Sequence, residues 1–265
     1  MGILNVTPDS FSDGGRFVEP KAALRQADRL VAEGADMIDI GAESTRPGFD
    51  EVSAQEEWAR LEPVLIPLLA RCPVPVSVDT RKAWVAEKAL AAGAHMVNDV
   101  WGLQKDPAMV EVVASYQVPI VLTHNRDDAG VYDSVRALMD DLLRFLGKSV
   151  ELALKKGVSE SCLIVDPGIG FGKSVQQNLD VLGNLSELKS LQCPILLGVS
   201  RKSVIKEALG IPGASEEEVL APTVALNVLG LVGGASMFRV HDVAENKRAL
   251  RMAQEVVRRY VSVLP

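Results

Sequence analysis

Leu163-Ile-Val-Asp-Pro-Gly-Ile-Gly-Phe-Gly-Lys173 reads as a buried strand that stops on a carboxylate. Three apolar residues, two of them β-branched, predict a strand end buried on both faces. Asp166 follows at once, and Pro167 and Gly168 end the strand there. A carboxylate at the mouth of an apolar strand is costly without a partner, and the glycines let the backbone approach a neighbour closely. A capping Asp beside a tight turn accounts for a lone Asp-Pro-Gly as well. The run ends Gly172-Lys173-Ser174, as a phosphate-binding P-loop does, but the first glycine of that motif falls on Pro167. The dinucleotide fingerprint fails too, because Lys173 stands where its third glycine belongs. The glycines alone therefore decide little; what decides is the recurrence of this design at other strand ends.

Outward from that stretch, short apolar runs predict strands at 2–6, 37–40, 74–78, 96–97, 118–122, 195–197 and 237–238, besides 163–165. Helical patterns separate them. One opens at Pro20 and ends at Gly34, and others cover about 53–70, 84–92, 107–115, 133–156 and 175–188. Two more run to about 231, the second opened by the capping box Ser215-x-x-Glu218, and a last one covers 243–261. Eight strands alternating with helices in 265 residues predict an α/β protein, a single-domain (β/α)8 TIM barrel over 1–265. A doubly wound open sheet is the alternative, but it carries fewer strands and a clearer phosphate fingerprint. Gly34-Ala-Asp-Met-Ile-Asp39, Gly93-Ala-His-Met-Val-Asn98 and Gly234-Ala-Ser-Met-Phe-Arg239 share one pattern before strands two, four and eight. It places Asp39, Asn98 and Arg239 at equivalent depth. The echo supports the barrel; chance resemblance of a common Gly-Ala turn is the alternative.

Composition narrows the function. Hydrophobic content of 48% suffices for a core, and a formal net charge of -7 argues against a generic nucleic-acid surface. No apolar run reaches membrane-span length, and no charged leader is visible. Cys72, Cys162 and Cys193 are widely spaced, without a C-x-x-C pair, which predicts a reduced compartment and no zinc site. A cytoplasmic location is expected.

In barrels of this class the reactive groups sit at the C-terminal strand ends. Here those ends carry Asn5, Asp39, Asp79, Asn98, His124, Asp166, Lys202, Arg239 and His241. Any one could be a structural cap, the plainer reading for Asp39 and His124, but a barrel mouth needs only a few caps. Asp79, Asn98 and Asp166 suit a flat heterocycle rich in N–H and C=O groups. Arg46, Arg201, Lys202 and Arg239, with His241 alongside, suit a phosphate or carboxylate. Asn5 adds a neutral oxygen of the kind magnesium accepts beside phosphate oxygens and water.

The motifs 1–15, Glu43-Ser-Thr-Arg-Pro-Gly48, Val78-Asp-Thr80, Asn98-Asp99, Asp166-Pro-Gly-x-Gly-Phe-Gly-Lys173, Ser200-Arg-Lys-Ser203 and Arg239-Val-His-Asp-Val243 resemble those of dihydropteroate synthase, in family order from end to end. The resemblance implies a transferase of folate biosynthesis and a sulfonamide target. It joins 6-hydroxymethyl-7,8-dihydropterin diphosphate to 4-aminobenzoate, giving dihydropteroate and diphosphate. By the same resemblance Asp79, Asn98, Asp166 and Lys202 hold the pterin, with Phe171 close by. Asn5, Arg239 and His241 hold a magnesium diphosphate, with Asn5 as the metal's protein ligand. Thr45, Arg46, Pro47 and Ser203 line the aminobenzoate site. Asp9, Phe11, Ser12 and Asp13 belong to a first loop that closes over the substrates. The implied mechanism is dissociative: diphosphate leaves first, and the aniline nitrogen traps the cation, aided by Asp9 or Asp13. A homodimer with no nucleic-acid or membrane partner is expected.

Two departures from the family pattern stand out. A Met-His-Met-like trio is common after strand five, where this chain has Thr123-His124-Asn125. Residues that usually precede the first strand are absent, so a shortened chain or an open or partner-covered barrel floor is expected. A pterin-dependent methyltransferase on the same barrel would share Asp79, Asn98 and Asp166, but it has no need of Ser-Arg-Lys-Ser or Arg-Val-His-Asp. A catalytically silent pterin binder is disfavoured by the intact first loop and anion motifs.

Overall fold

The computed structural model describes residues 1–6, 15–43, 51–127, 130 and 132–261, the side chains of 15–19, 260 and 261 excepted. Two compact units make up the chain: Met1–Leu122 with Ser149–Leu163, and Thr123–Lys148 with Ile164–Pro265.

In the first unit lie β1 (Gly2–Asn5), β2 (Ile38–Gly41), β3 (Val76–Asp79), β4 (Met96–Asp99) and nearly all of β5 (Ile120–Thr123). They pair in that order and all run parallel. Between them come α1 (Gly15–Ala32), α2 (Ala54–Leu69), α3 (Ala83–Ala91) and α4 (Met109–Tyr116). The strands are short because parallel strands covered on both faces need only enough length to fill one layer of core. Ile38, Ile40, Val78 and Val97 are wholly buried, as are Leu30 of α1 and Leu61 and Leu65 of α2. Each such aliphatic side chain contributes about 1.5–3 kcal/mol. The register aligns Asn5 with Gly41, Gly41 with Asp79, and Asp79 with Asn98, so the first four strands end in one row.

In the second unit lie the last residue of β5, most of β6 (Leu163–Asp166), then α6 (Val175–Gly183), β7 (Leu196–Leu197), α7 (Ser203–Ala208), α8 (Leu220–Gly233), β8 (Met237–Phe238) and α9 (Val243–Val261). The long helix α5 (Val135–Lys155) gives residues to both units. His124 donates its backbone N–H to the Asp166 carbonyl at 2.9 Å, Val165 bridges Ile195 in parallel, and β7 pairs with β8. Eight strands alternating with helices are thus present among the described residues.

The Gly-Ala echo is a real structural repeat. Gly34, Gly93 and Gly234 all sit in the left-handed region, at φ of 99°, 104° and 107°. Each following alanine donates its N–H five residues back, at 2.9 Å in all three cases. This is the Schellman turn, and only glycine enters it without strain. Gly157 makes the same turn before β6, with Val158 bonded to the Ala153 carbonyl at 3.0 Å. It lacked the methionine that made the other three visible.

Some boundaries differ from expectation. α1 begins at Gly15, not Pro20, because proline keeps a helical φ while forfeiting one backbone bond. The pattern read as one helix over 175–188 breaks at Asn184 and continues as a 3-10 helix over Leu185–Leu191. α6 has its own capping box, Ser174 with Gln177. The Ser215–Glu218 box forms its two reciprocal bonds, but on a turn that precedes α8.

Candidate active site

In the first unit, burial makes the strand-end polar groups partner one another. Asp39 is wholly buried in β2 and accepts a hydrogen bond from the Asn98 amide of β4 at 3.1 Å. The bond passes over the intervening strand, as expected of alternate strands that share one interior layer. Asp39 is therefore the group that aims Asn98, more than a simple cap. Asp79 lies at the end of β3 beside Gly41, where an added Cβ would come within 3.2 Å of the Asp79 Cβ. A side chain at 41 would press on Asp79 and require it to shift by a few tenths of an ångström.

Behind that row lies a charged network. Glu57 of α2 is fully buried, and its carboxylate accepts from Lys82 Nζ at 2.6 Å. Lys82 also meets Glu43 at 2.9 Å, and Arg81 meets Glu43 at 3.2 Å and Glu51 at 2.8 Å. Burial raises the Glu57 pKa, and Lys82 and Thr80 oppose that only in part. Burial acts the same way on Glu43, but there Arg81 and Lys82 prevail and the pKa is lowered. Glu43 also accepts the Val52 N–H at 3.2 Å, tying together the residues on either side of 44–50. Asp99 accepts the N–H groups of Trp101 and Leu103 at 2.9 and 2.7 Å. Burial pushes its pKa up to about 6 although both bonds favour the charged form.

In the second unit, Asp166 ends β6 almost fully buried, with one oxygen held by the Gly168 N–H at 2.7 Å. Burial raises its pKa, while Lys202, the Gly168 N–H, Lys173 and Arg239 pull the other way. Lys202 Nζ stands 4.4 Å from the centre of the Phe171 ring, a cation–π contact, and donates to the Ile169 carbonyl. Gly198 faces both Arg239 and Asp166: an added Cβ would lie 3.8 Å from the Arg239 Cβ and 3.9 Å from an Asp166 oxygen. The missing side chain keeps open the space that those two groups border.

His241 is fixed by Ser200. The serine oxygen accepts the His241 backbone N–H at 3.1 Å and lies 3.0 Å from Nδ1. The hydroxyl thus ties both the backbone and the ring of His241 to the loop after β7. Ser203 is exposed at the first position of α7. Asn5 is exposed at the end of β1.

Arg201 does not behave as an anion ligand. Its guanidinium is committed to Asp242 at 2.7 and 3.2 Å and to Glu216. Adjacent Arg and Lys residues are indistinguishable in a motif until their partners are known. Asp9, Asp13, Thr45, Arg46 and Pro47 lie outside the described residues, as do Phe11 and Ser12. Spacing gave no sign of the roles of Ser200 and Asp39, because each partner lies far away in sequence.

The chain matches the pterin binding enzyme family over residues 1–241. It is 48% identical to a dihydropteroate synthase of Clostridium beijerinckii, over 98% of this chain and 94% of that one. Among solved structures, a Clostridium difficile dihydropteroate synthase crystallised in the presence of pteroic acid superposes with a TM-score of 0.92 at 47% identity, over 97% and 95% of the two chains. A Xanthomonas albilineans dihydropteroate synthase in complex with 7,8-dihydropteroate gives 0.87 at 41% identity, over 100% and 94%. The fold is thus a (β/α)8 barrel, as its eight β/α repeats indicated. The chain belongs to the pterin-binding enzymes, and within them to the dihydropteroate synthase family.

Proposed function

We propose that this chain condenses 6-hydroxymethyl-7,8-dihydropterin diphosphate with 4-aminobenzoate, releasing diphosphate and 7,8-dihydropteroate for folate synthesis. The observation that carries this reading is Asp166, a buried carboxylate set against Lys202, Phe171 and the Arg239 side of Gly198. One carboxylate oxygen accepts from Gly168, and the acceptor capacity that remains suits the N–H edge of a pterin. Lys202 and Phe171 supply a donor and a flat apolar surface beside it. Asp79 and Asn98 belong to the pterin by the family resemblance, and Ser203 with Thr45, Arg46 and Pro47 to the aminobenzoate.

A neutral arylamine is a weak nucleophile, so the pterin methylene carbon must become strongly electrophilic. The C–O bond to diphosphate breaks first, the amine nitrogen forms the new C–N bond, and the amine then loses a proton. Arg239 and His241 stabilise the departing anion, and holding the amine against the carbon contributes by proximity. Asp9 or Asp13 takes the supporting carboxylate role. Asn5 offers one neutral oxygen at the end of β1, and no cluster of three His, Cys, Asp or Glu side chains suited to a metal occurs among the described residues. That donor set fits magnesium, which takes its remaining ligands from phosphate oxygens and water. Magnesium, when bound, neutralises diphosphate charge.

A diphosphate-release assay with both substrates tests the reaction, and full turnover in excess chelator would exclude the metal. Arg239→Ala should weaken binding of the pterin diphosphate roughly tenfold or more, because a charged hydrogen-bond partner is worth about 1.5–3 kcal/mol. Binding of a bare pterin should change far less, and equal losses for the two ligands would contradict the assignment.

The same reading makes the protein a cytoplasmic homodimer. Leu229 and Val232 of α8 are 65% and 61% exposed, and Met252 and Val256 of α9 are 65% and 43% exposed, which supports an apolar face for a second copy. Sedimentation should give a dimer, and Leu229→Lys with Val232→Lys a monomer. Cys72, Cys162 and Cys193 are free thiols. No helix among the described residues is long and apolar enough to cross a membrane.

A further inference from the structure

Lys173 closes the Asp-Pro-Gly-Ile-Gly-Phe-Gly-Lys motif, and its ammonium meets three acceptors. They are His124 Nδ1 at 2.8 Å, the Gly168 carbonyl at 3.0 Å and the Phe171 carbonyl at 3.1 Å. Three hydrogens meet three acceptors, which saturates the group as a cation. An ammonium cannot accept, so His124 Nδ1 must, and the imidazole is then the neutral Nε2–H tautomer. Nε2 has no hydrogen-bond partner among the described residues, and the ring packs edge-on against Phe145 at 4.8 Å.

The two carbonyls are the ends of the turn that follows Asp166. Phe171 N–H also bonds to the Gly168 carbonyl at 3.1 Å, closing the turn on itself. Gly168, Gly170 and Gly172 all have positive φ, at 67°, 84° and 53°, so the turn carries few side chains of its own to fix its shape. From outside it is held by Asn178, which accepts the Gly170 N–H at 2.7 Å, by Lys202 on the Ile169 carbonyl, and by Lys173. The turn lies hard against the backbone of His124: an added Cβ at Gly168 would come within 1.8 Å of the His124 carbonyl oxygen.

We propose that Lys173 and His124 are a positioning pair for pterin recognition: His124 fixes the Lys173 ammonium, which fixes the turn that carries Phe171 and the Asp166-bound Gly168. The proposal rests on the pterin reading of Asp166. Charged and titratable groups around Lys173 are Asp166, Asp141, Lys202, Arg126 and His124. Burial lowers the Lys173 pKa, Asp166 and Asp141 resist, Lys202 and Arg126 add to the lowering, and it comes to about 7. Burial and then the Lys173 charge push His124 down to about 3, so it remains a fixed acceptor at neutral pH. Above pH 7, Lys173 keeps two hydrogens for three acceptors, and Asp166 loses a positive neighbour.

The test is calorimetric binding of 6-hydroxymethylpterin to the full chain, with steady-state KM values for both substrates. Lys173→Met should weaken pterin binding roughly tenfold or more, by the loss of charged hydrogen bonds. The KM for aminobenzoate should stay within about twofold, since the substitution spares groups assigned to that substrate; a tenfold change corresponds to 1.4 kcal/mol. Wild-type affinity should fall as pH rises through about 7, an inflection that Lys173→Met removes. His124→Leu should reproduce the loss, and His124→Asn, which keeps an acceptor near Nδ1, should largely restore affinity. That pair decides the matter if Lys173→Met does not fold. Folded Lys173→Met or His124→Leu protein with wild-type pterin affinity and inflection, beside an impaired Asp166→Asn, would overturn this inference alone. A wild type that binds no pterin would overturn the functional reading with it.

Discussion

Asp166→Asn is expected to lower turnover roughly tenfold to several hundredfold while the protein remains folded. A pterin presents a ring N–H and an exocyclic amine on one edge, and an ionised carboxylate accepts both. Asparagine has nearly the same volume but turns one acceptor into a donor, setting N–H against N–H. A buried mismatch of this kind costs about 1–3 kcal/mol, and more where charge is involved. At 7% exposure Asp166 has little water with which to relieve it. The burial that raises its pKa also gives a pH signature. Acidification protonates the carboxylate, so pterin affinity should fall on the acid side, beginning at higher pH than for an ordinary aspartate. Calorimetry of pterin binding beside thermal melting of the two proteins checks both statements. Near-wild-type affinity in a folded Asp166→Asn protein would reduce this aspartate to a turn cap.

Lys82→Met is expected to destabilise the protein by about 3–5 kcal/mol near neutral pH, the cost of removing one partner from a buried ion pair. Methionine fills most of the lysine's volume, so the loss is electrostatic. It leaves Glu57, fully buried, with its raised pKa uncompensated, and takes a cation from Glu43. For a chain of this size the melting temperature should drop by about 2–4 °C per kcal/mol. The sign of the pH effect follows from Glu57. Its folded pKa lies above the unfolded value of 4.5, so its charge costs stability as pH rises through that window. Losing Lys82 widens the window upward, and the gap between variant and wild type should narrow on acidification. Melting curves between pH 5 and about 8 measure it; a gap that is constant with pH would mean that Glu57 is not the group responsible. Glu57→Gln added to Lys82→Met should recover part of the loss, since it replaces the stranded charge with a neutral amide.

Many of the candidate residues were legible because strand ends announce themselves locally. Asp79, Asn98, Asp166 and Arg239 each follow a short apolar run, and in every case the run is a strand that stops at or beside that residue. The Gly-Ala echo was legible for the same reason: a Schellman turn is set by one glycine and its immediate neighbours. Pro20 does not mark the helix start because the preference of proline for that position is only a statistical tendency, and the helix already begins at Gly15.

What the sequence by itself determined is therefore what neighbours along the chain decide: the eight β/α repeats, the polar residues at most of the strand ends, and the motifs that mark the family. The tertiary structure alone decided which of those polar groups are already engaged. Arg201 is spent on Asp242 and Glu216, Asp39 orients Asn98, Ser200 orients His241, and Lys173 reaches His124 across 49 residues. Hydrogen bonds and ion pairs depend on distances of about 3 Å in space, and spacing along the chain carries no record of them.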